Sequence, residues 1–280
     1  MTDKKVLTIQ DISCMGQCSL TVALPIISAC GVETIILPSA VLSTHTGGFT
    51  GYTVRDLTED IPGIKEHWKK ENIKCDCLYT GYLGSVKQID YVYELKNEVL
   101  NDGSLLIVDP AMADNGKLYY GFDEVFVKHM AKLCGTADII LPNITEAAFM
   151  TGFDMKLECQ DESYVDALLE KLSELGSKKV VLKGISFERD KIGIVVYDCV
   201  AKTKDYYFTE KIQKSSHGTG DCYAAAFTGA IMQGKSVFDS AKLAADFVVE
   251  SIKKTIGDDT HWYGVKFEKA LPILVKELNK

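Results

Sequence analysis

The run Gly218-Thr219-Gly220-Asp221, followed at once by the small-residue segment Cys222 to Gln233, joins one carboxylate to an anion cradle. Glycines let a backbone come close to a phosphate, and the N–H groups that open a helix carry partial positive charge. Asp221 would then reach a hydroxyl held beside that phosphate and take its proton, while the Gly218 to Gly220 backbone stabilises the developing negative charge. That chemistry is phosphoryl transfer. The same residues also suit a plain glycine turn in which Asp221 merely charges a helix start, so the rest of the chain has to choose.

Other phosphate cradles lack their context. The one Gly-x-x-x-x-Gly-Lys-Ser run, Gly229 to Ser236, starts inside the small-residue segment rather than after a strand, no Gly-x-Gly-x-x-Gly follows the first strand, and no Gly-x-Ser-x-Gly nucleophile elbow occurs. Asp109, Asp114 and Glu146 place three carboxylates at expected strand ends, the donor set for a magnesium ion that bridges nucleotide phosphates and keeps several waters. Taken singly, Asp109 suits a turn before Pro110 and Glu146 a helix start. Asn143 shares a helical face with Glu146 and also suits a helix cap. Lys183 ends an apolar strand, where it would meet phosphate or ribose oxygens or simply face solvent. His45, in Ser43-Thr44-His45-Thr46, reads as a general base, a ligand donor or a loop hydrogen-bonding group. Tyr82, with Gly81 and Gly84 beside it, could lay its ring on a flat heterocycle.

The elements that must position these residues alternate. Short β-rich runs at Val6 to Ile9, Thr34 to Leu37, Cys77 to Thr80, Leu105 to Asp109, Asp138 to Leu141 and Lys179 to Lys183 are largely apolar, as strands covered on both faces should be. Segments with helical spacing lie at Tyr91 to Asn101, Val125 to Cys134 and Ser163 to Leu175, and later around Val237 to Lys254 and Lys266 to Leu278. Ile192 to Tyr197 and Asp205 to Phe208 read as an antiparallel edge hairpin. The pattern predicts a mainly parallel sheet with helices on both faces. No linker or repeat interrupts residues 1–280, so one domain is the simplest reading. In such sheets ligands bind beyond the carboxyl ends of the strands, which is where the candidate residues fall.

Composition narrows the classes. Hydrophobic residues make up 46% and charged residues 25%, as in an ordinary globular protein, and a net charge of −8 argues against a nucleic-acid partner. The uncharged stretch from Ile12 to Val32 is punctuated by Gly16, Gln17, Ser19 and Pro25, so it reads as a loop and a buried helix rather than a membrane span. Nine scattered cysteines without a Cys-x-x-Cys pair suit a reducing cytoplasm.

In order along nearly the whole chain, Val6 to Gln10, Ser43-Thr44-His45-Thr46, Thr80-Gly81-Tyr82-Leu83-Gly84-Ser85, Asp109-Pro110 with Asp114, Pro142-Asn143 with Glu146, and Gly218-Thr219-Gly220-Asp221 resemble the ribokinase superfamily and, within it, the pyridoxal kinases. The resemblance implies a ribokinase-like three-layer α/β/α sandwich, a mainly parallel central sheet with an antiparallel edge hairpin. It implies ATP-dependent phosphorylation of the 5′-hydroxymethyl group of a vitamin B6 vitamer, with Asp221 as base and Gly218 and Gly220 in the anion hole. Asp11, Ser13, His45, Thr46 and Tyr82 then fall on the substrate side, and Asn143, Lys183 and Thr219 on the nucleotide side. Asp109, Asp114 and Glu146 would organise Mg2+ through waters. A homodimer is implied, and a monovalent cation is an option the resemblance leaves open. Two residues depart from the pattern. Asp11 stands where similar kinases carry a serine, which predicts a partner for the amine of pyridoxamine, and Leu42 replaces an aromatic. A hydroxymethylpyrimidine kinase of the same superfamily and a B6-binding protein without turnover are the alternatives.

Overall fold

The structure, a computed structural model, describes residues 4–213 and 216–280. In chain order its elements begin with β1 (Lys5–Ser13), α1 (Leu20–Ala29), β2 (Glu33–Leu42), β3 (Val54–Asp56), α2 (Ile61–Lys70), β4 (Cys75–Thr80), α3 (Val86–Val99) and β5 (Leu100–Val108). There follow β6 (Ala113–Asp114), β7 (Lys117–Leu118), α4 (Glu124–Gly135), β8 (Ile139–Ile140), α5 (Ile144–Thr151), α6 (Glu162–Ser173), β9 (Lys179–Ile185), β10 (Lys191–Asp198) and β11 (Thr203–Glu210). The chain ends in α7 (Thr219–Met232), α8 (Val237–Lys253) and α9 (Leu271–Leu278). Two compact units result, Met1–Ser104 with Ile212–Lys280, and Leu105–Lys211.

In the first unit β1 pairs in parallel with β2 on one side and β4 on the other, and β3 joins β2 antiparallel. Residues 6–11 of β1 are all buried, as a strand covered on both faces requires. The β1–β2 register slips between Gln10 and Ile12, an irregularity of the kind that re-aims a side chain beside a functional site. Helix α7 is buried on nearly every side because its residues are small: Cys222, Ala224, Ala225, Ala226 and Ala230 have no exposed surface. That smallness lets its backbone approach α1, with Gly229 against Cys30.

In the second unit the C-terminal half of β5 pairs in parallel with β8, and β8 with β9. The hairpin β10–β11 then adds antiparallel at the edge, as expected. The fold is the α/β class read from the sequence, a mainly parallel sheet with an antiparallel edge hairpin and flanking helices.

Three boundaries differ from the sequence reading. Helix α7 begins at Thr219, so Thr219, Gly220 and Asp221 are helical rather than a preceding loop, because Gly218 takes the left-handed conformation (φ 73°) that starts the helix. Helix α3 begins at Val86, five residues before Tyr91, because Ser85 caps it by accepting the Gln88 N–H. The expected last helix is divided: a 3-10 turn at Phe267–Lys269 precedes α9, whose first turn holds Pro272, where a missing N–H costs nothing. Among the described residues no helix is long and apolar enough to cross a membrane.

Candidate active site

The Gly218 turn is built by close approach. A Cβ on Gly218 would lie 1.6 Å from the carbonyl oxygen of Gln17, so glycine is required there on both conformational and steric grounds. The Cys222 N–H donates to the Gly218 carbonyl at 2.9 Å, closing the first helical bond. The N–H groups of Thr219 and Gly220 therefore have no acceptor within the helix and sit at its positive end. Gly220 has open space where a Cβ would stand. Asp221 is half-buried in this first turn. Burial pushes the Cys18 thiol well up, and the charges of Asp221 and Asp11 add to that rise.

The turn from Cys14 to Ser19, which receives Gly218, is held from several sides. The Cys14 N–H donates to the Leu42 carbonyl, the Gln17 N–H to the Tyr263 carbonyl, and the Gln17 side chain to Glu268. Asp11, 5% exposed, accepts hydroxyl hydrogen bonds from Ser13 at 2.9 Å and Ser19 at 2.5 Å. Burial raises its pKa, and the two serines work against that rise. The expectation of an amine partner thus meets a carboxylate already enclosed and bonded to two hydroxyls. Ser13, expected on the substrate side, is one of those donors.

His45 is equally committed. Its Nε2 faces the Tyr263 carbonyl at 2.8 Å and its Nδ1 receives the Gly47 N–H at 3.0 Å. A carbonyl can only accept, so the proton sits on Nε2 and Nδ1 is the acceptor. Burial lowers the His45 pKa, which keeps the ring neutral. The reading as a general base is therefore corrected to its loop-bonding alternative: both nitrogens act inside the protein, and a ligand would meet the ring. That ring lies 5.1 Å from those of Phe49 and His217. Gly16 (φ 108°) makes room for it, since a Cβ there would reach within 2.0 Å of His45 Cδ2. Thr46 is exposed.

Tyr82 follows β4 and is half-buried, its hydroxyl pushed up to about 12 by burial first and then by the Asp11 charge. Its loop is tied by buried Gln88, which accepts the Gly84 N–H and donates to the Ser39 carbonyl and the Thr58 hydroxyl.

The second unit carries the remaining candidates. Asp109, buried at the end of β5, faces Lys183 of β9, whose ammonium donates to both carboxylate oxygens at 3.0 and 3.1 Å. Lys183 is thus an ion-pair partner rather than a solvent-facing strand end. Asn143 caps α5: its side chain accepts the Glu146 N–H, and Glu146 accepts the Asn143 N–H in return. Its Nδ2 also donates to the Ala113 carbonyl. Glu146 accepts the Met112 N–H as well, and burial, followed by the Asp109 charge, pushes its pKa up to about 8. Asp114 stays apart on the β6–β7 hairpin, exposed and bonded to Asn115. Among the described residues no three His, Cys, Asp or Glu side chains gather as a metal-ligand set, so the expected trio reduces to the pair Asp109 and Glu146. A buried, mutually repelling carboxylate pair with one lysine fits a hydrated divalent cation better than direct three-carboxylate ligation.

The family profile described as phosphomethylpyrimidine kinase matches residues 26–264. The chain belongs to that family. It is a phosphotransferase with an alcohol group as acceptor, a pyridoxal kinase-like member of the ribokinase-like superfamily. It is 29% identical over 227 residues to the hydroxymethylpyrimidine/phosphomethylpyrimidine kinase of Bacillus subtilis, covering 78% of each chain. A provisionally assigned phosphomethylpyrimidine kinase from Bacteroides thetaiotaomicron, crystallised with pyridoxal, superposes with a TM-score of 0.91 at 34% identity over 98% of this chain and 96% of that one. The pyridoxal kinase of Lactobacillus plantarum gives 0.89 at 30%, covering 98% and 97%.

Several residues that shape this kinase's site escaped the sequence reading. Gln17 and Tyr263 act through backbone carbonyls, so their side-chain identities carry no signal. Gln88 looks like any polar helix residue until its three partners are seen. In the sequence Ser19 carries only the signal of a polar loop residue.

Proposed function

We propose that this kinase phosphorylates the 5′-hydroxymethyl group of a vitamin B6 vitamer with ATP as donor. The observation that carries the reaction is the Gly218 turn, which offers first-turn N–H groups beside a half-buried Asp221. Asp221 takes the hydroxyl proton, the alkoxide oxygen forms a bond to the γ-phosphorus, and the bond from that phosphorus to the bridging oxygen breaks, releasing ADP. The first-turn N–H groups carry the charge on the transferred phosphoryl oxygens. Asp109 and Glu146 would hold Mg2+ through its waters, and the ion would supply charge neutralisation to the phosphates. Lys183, Asn143 and Thr219 are proposed for the nucleotide side, and Thr46, Tyr82 and the His45 ring for the pyridine.

The B6 assignment is supported by the pyridoxal-bound relative at 34% identity. The family description and the Bacillus subtilis relative favour hydroxymethylpyrimidine as the second reading. A panel of pyridoxal, pyridoxine, pyridoxamine and hydroxymethylpyrimidine, assayed by ADP release with Mg2+, decides between them. The highest kcat/KM is expected on a B6 vitamer, and a preference for the pyrimidine would transfer the assignment. Asp221→Asn is expected to bind the acceptor normally while kcat falls by about 100-fold or more, the scale of a lost general base. Binding without turnover in the unmodified protein would instead favour a B6 carrier. By the same resemblance, we propose that the chain works as one kinase domain in a homodimer, which sedimentation tests.

A further inference from the structure

Ser19 is the residue before α1, yet its hydroxyl does not cap that helix. It donates instead to Asp11 at 2.5 Å, and both residues are 5% exposed. The backbone of Ser19 is also unusual: φ 57° with ψ −134° is a region that glycine occupies freely and other residues rarely. A serine stays there only when its surroundings hold it. Its side chain is held by the Asp11 carboxylate, placed beside the register slip in β1 and bonded to Ser13 as well, while its backbone bridges Ile12 and its carbonyl accepts the Val22 and Ala23 N–H groups. Immediately before Ser19 run Gln17 and Cys18, and the Gln17 carbonyl occupies the space a Cβ on Gly218 would need. The seat of the Gly218 turn is thus continuous, through two peptide units, with the strained serine.

We infer that Asp11 is a positioning residue for phosphoryl transfer: by bonding Ser19 it locks the Cys14 to Ser19 turn in a strained form that sets the Gln17 carbonyl, and with it the Gly218 turn. Asp11 then acts on kcat, with no contact to the acceptor's substituents. The inference rests on the phosphoryl-transfer role proposed above for the Gly218 turn.

The test separates the hydrogen bond from the backbone shape. Ser19→Ala and Ser19→Gly both delete the hydroxyl, but only glycine keeps φ 57° without a restraint. Kinetics with whichever acceptor the enzyme turns over should show kcat about tenfold or more lower in Ser19→Ala and within about threefold of the parent in Ser19→Gly, with the acceptor KM changing less than twofold in both. Asp11→Ala should lower kcat similarly, and adding Ser19→Gly to it should restore most of the loss. Equal kcat in the alanine and glycine variants of Ser19, or an Asp11→Ala effect confined to acceptor KM, would overturn the inference. Asp221→Asn measured alongside keeps the two ideas apart: a normal kcat in that variant removes the catalytic reading of the helix start, whatever Ser19 does.

Discussion

Replacing Gly218 by alanine tests the anion turn most directly, because its cost can be worked from the packing. The added Cβ would stand 1.6 Å from the Gln17 carbonyl oxygen, and ordinary contact begins at 3.4 Å, so the two segments must separate by about 1.8 Å. Alanine also pays roughly 1–2 kcal/mol for the left-handed conformation. A misplacement of about 1 Å near the reacting atoms costs on the order of 100-fold in rate. The expected result is therefore a kcat lower by at least about 100-fold, equivalent to about 2.7 kcal/mol of barrier, and a melting point lower by a few degrees. Gly220→Ala is the matched comparison. It sits in a helical turn with open space at its Cβ position, so stability should hold or rise by about 0.5–1 kcal/mol, while kcat falls only because a bound phosphate needs that space. Coupled ADP-release kinetics and thermal melts on both variants supply the readout. A Gly218→Ala enzyme with kcat within a few-fold of the parent would refute the assignment of this turn to the transferred phosphoryl.

Glu146 makes a pH prediction whose sign follows from its raised pKa of about 8. The native state keeps a proton that the unfolded chain has released, so rising pH from about 5 to 8 lowers stability. Glu146→Gln should flatten the melting point across that window, and millimolar Mg2+ at pH 8 should raise the parent's melting point more than the variant's. Lys183→Met leaves Asp109 buried without its counter-charge; urea melts should show a loss of about 3–5 kcal/mol at neutral pH, shrinking at acid pH as Asp109 takes up a proton. Equal losses at both values would mean that the Lys183–Asp109 charge pair is not the source.

The strand runs and the edge hairpin were legible because continuous apolar stretches and short polar turns are local signals. Helix α2 was not, since the structure buries only Ile61 and Lys65 among its residues and the rest of its surface is charged or mixed. The glycine turn and Asp221 were legible from residue type and spacing. Their meaning shifted when Gly218 proved to be the last residue outside the helix rather than the first of a loop. Asp114 and Asp109 looked alike as carboxylates after a strand; one is exposed and the other enclosed with a lysine.

By itself, then, the order of residues determined the layered α/β architecture, the family and the candidate list, because each depends on short-range pattern. Tertiary structure alone decided what those candidates do to one another. It turned Asp11 toward two serines, closed both nitrogens of His45, paired Lys183 with Asp109 and seated Gly218 on a carbonyl about 200 positions earlier in the chain. The Lys183–Asp109, His45–Tyr263 and Gly218–Gln17 partners are too far apart in sequence to leave a periodicity to read, and two of the groups involved are backbone carbonyls, which every residue has.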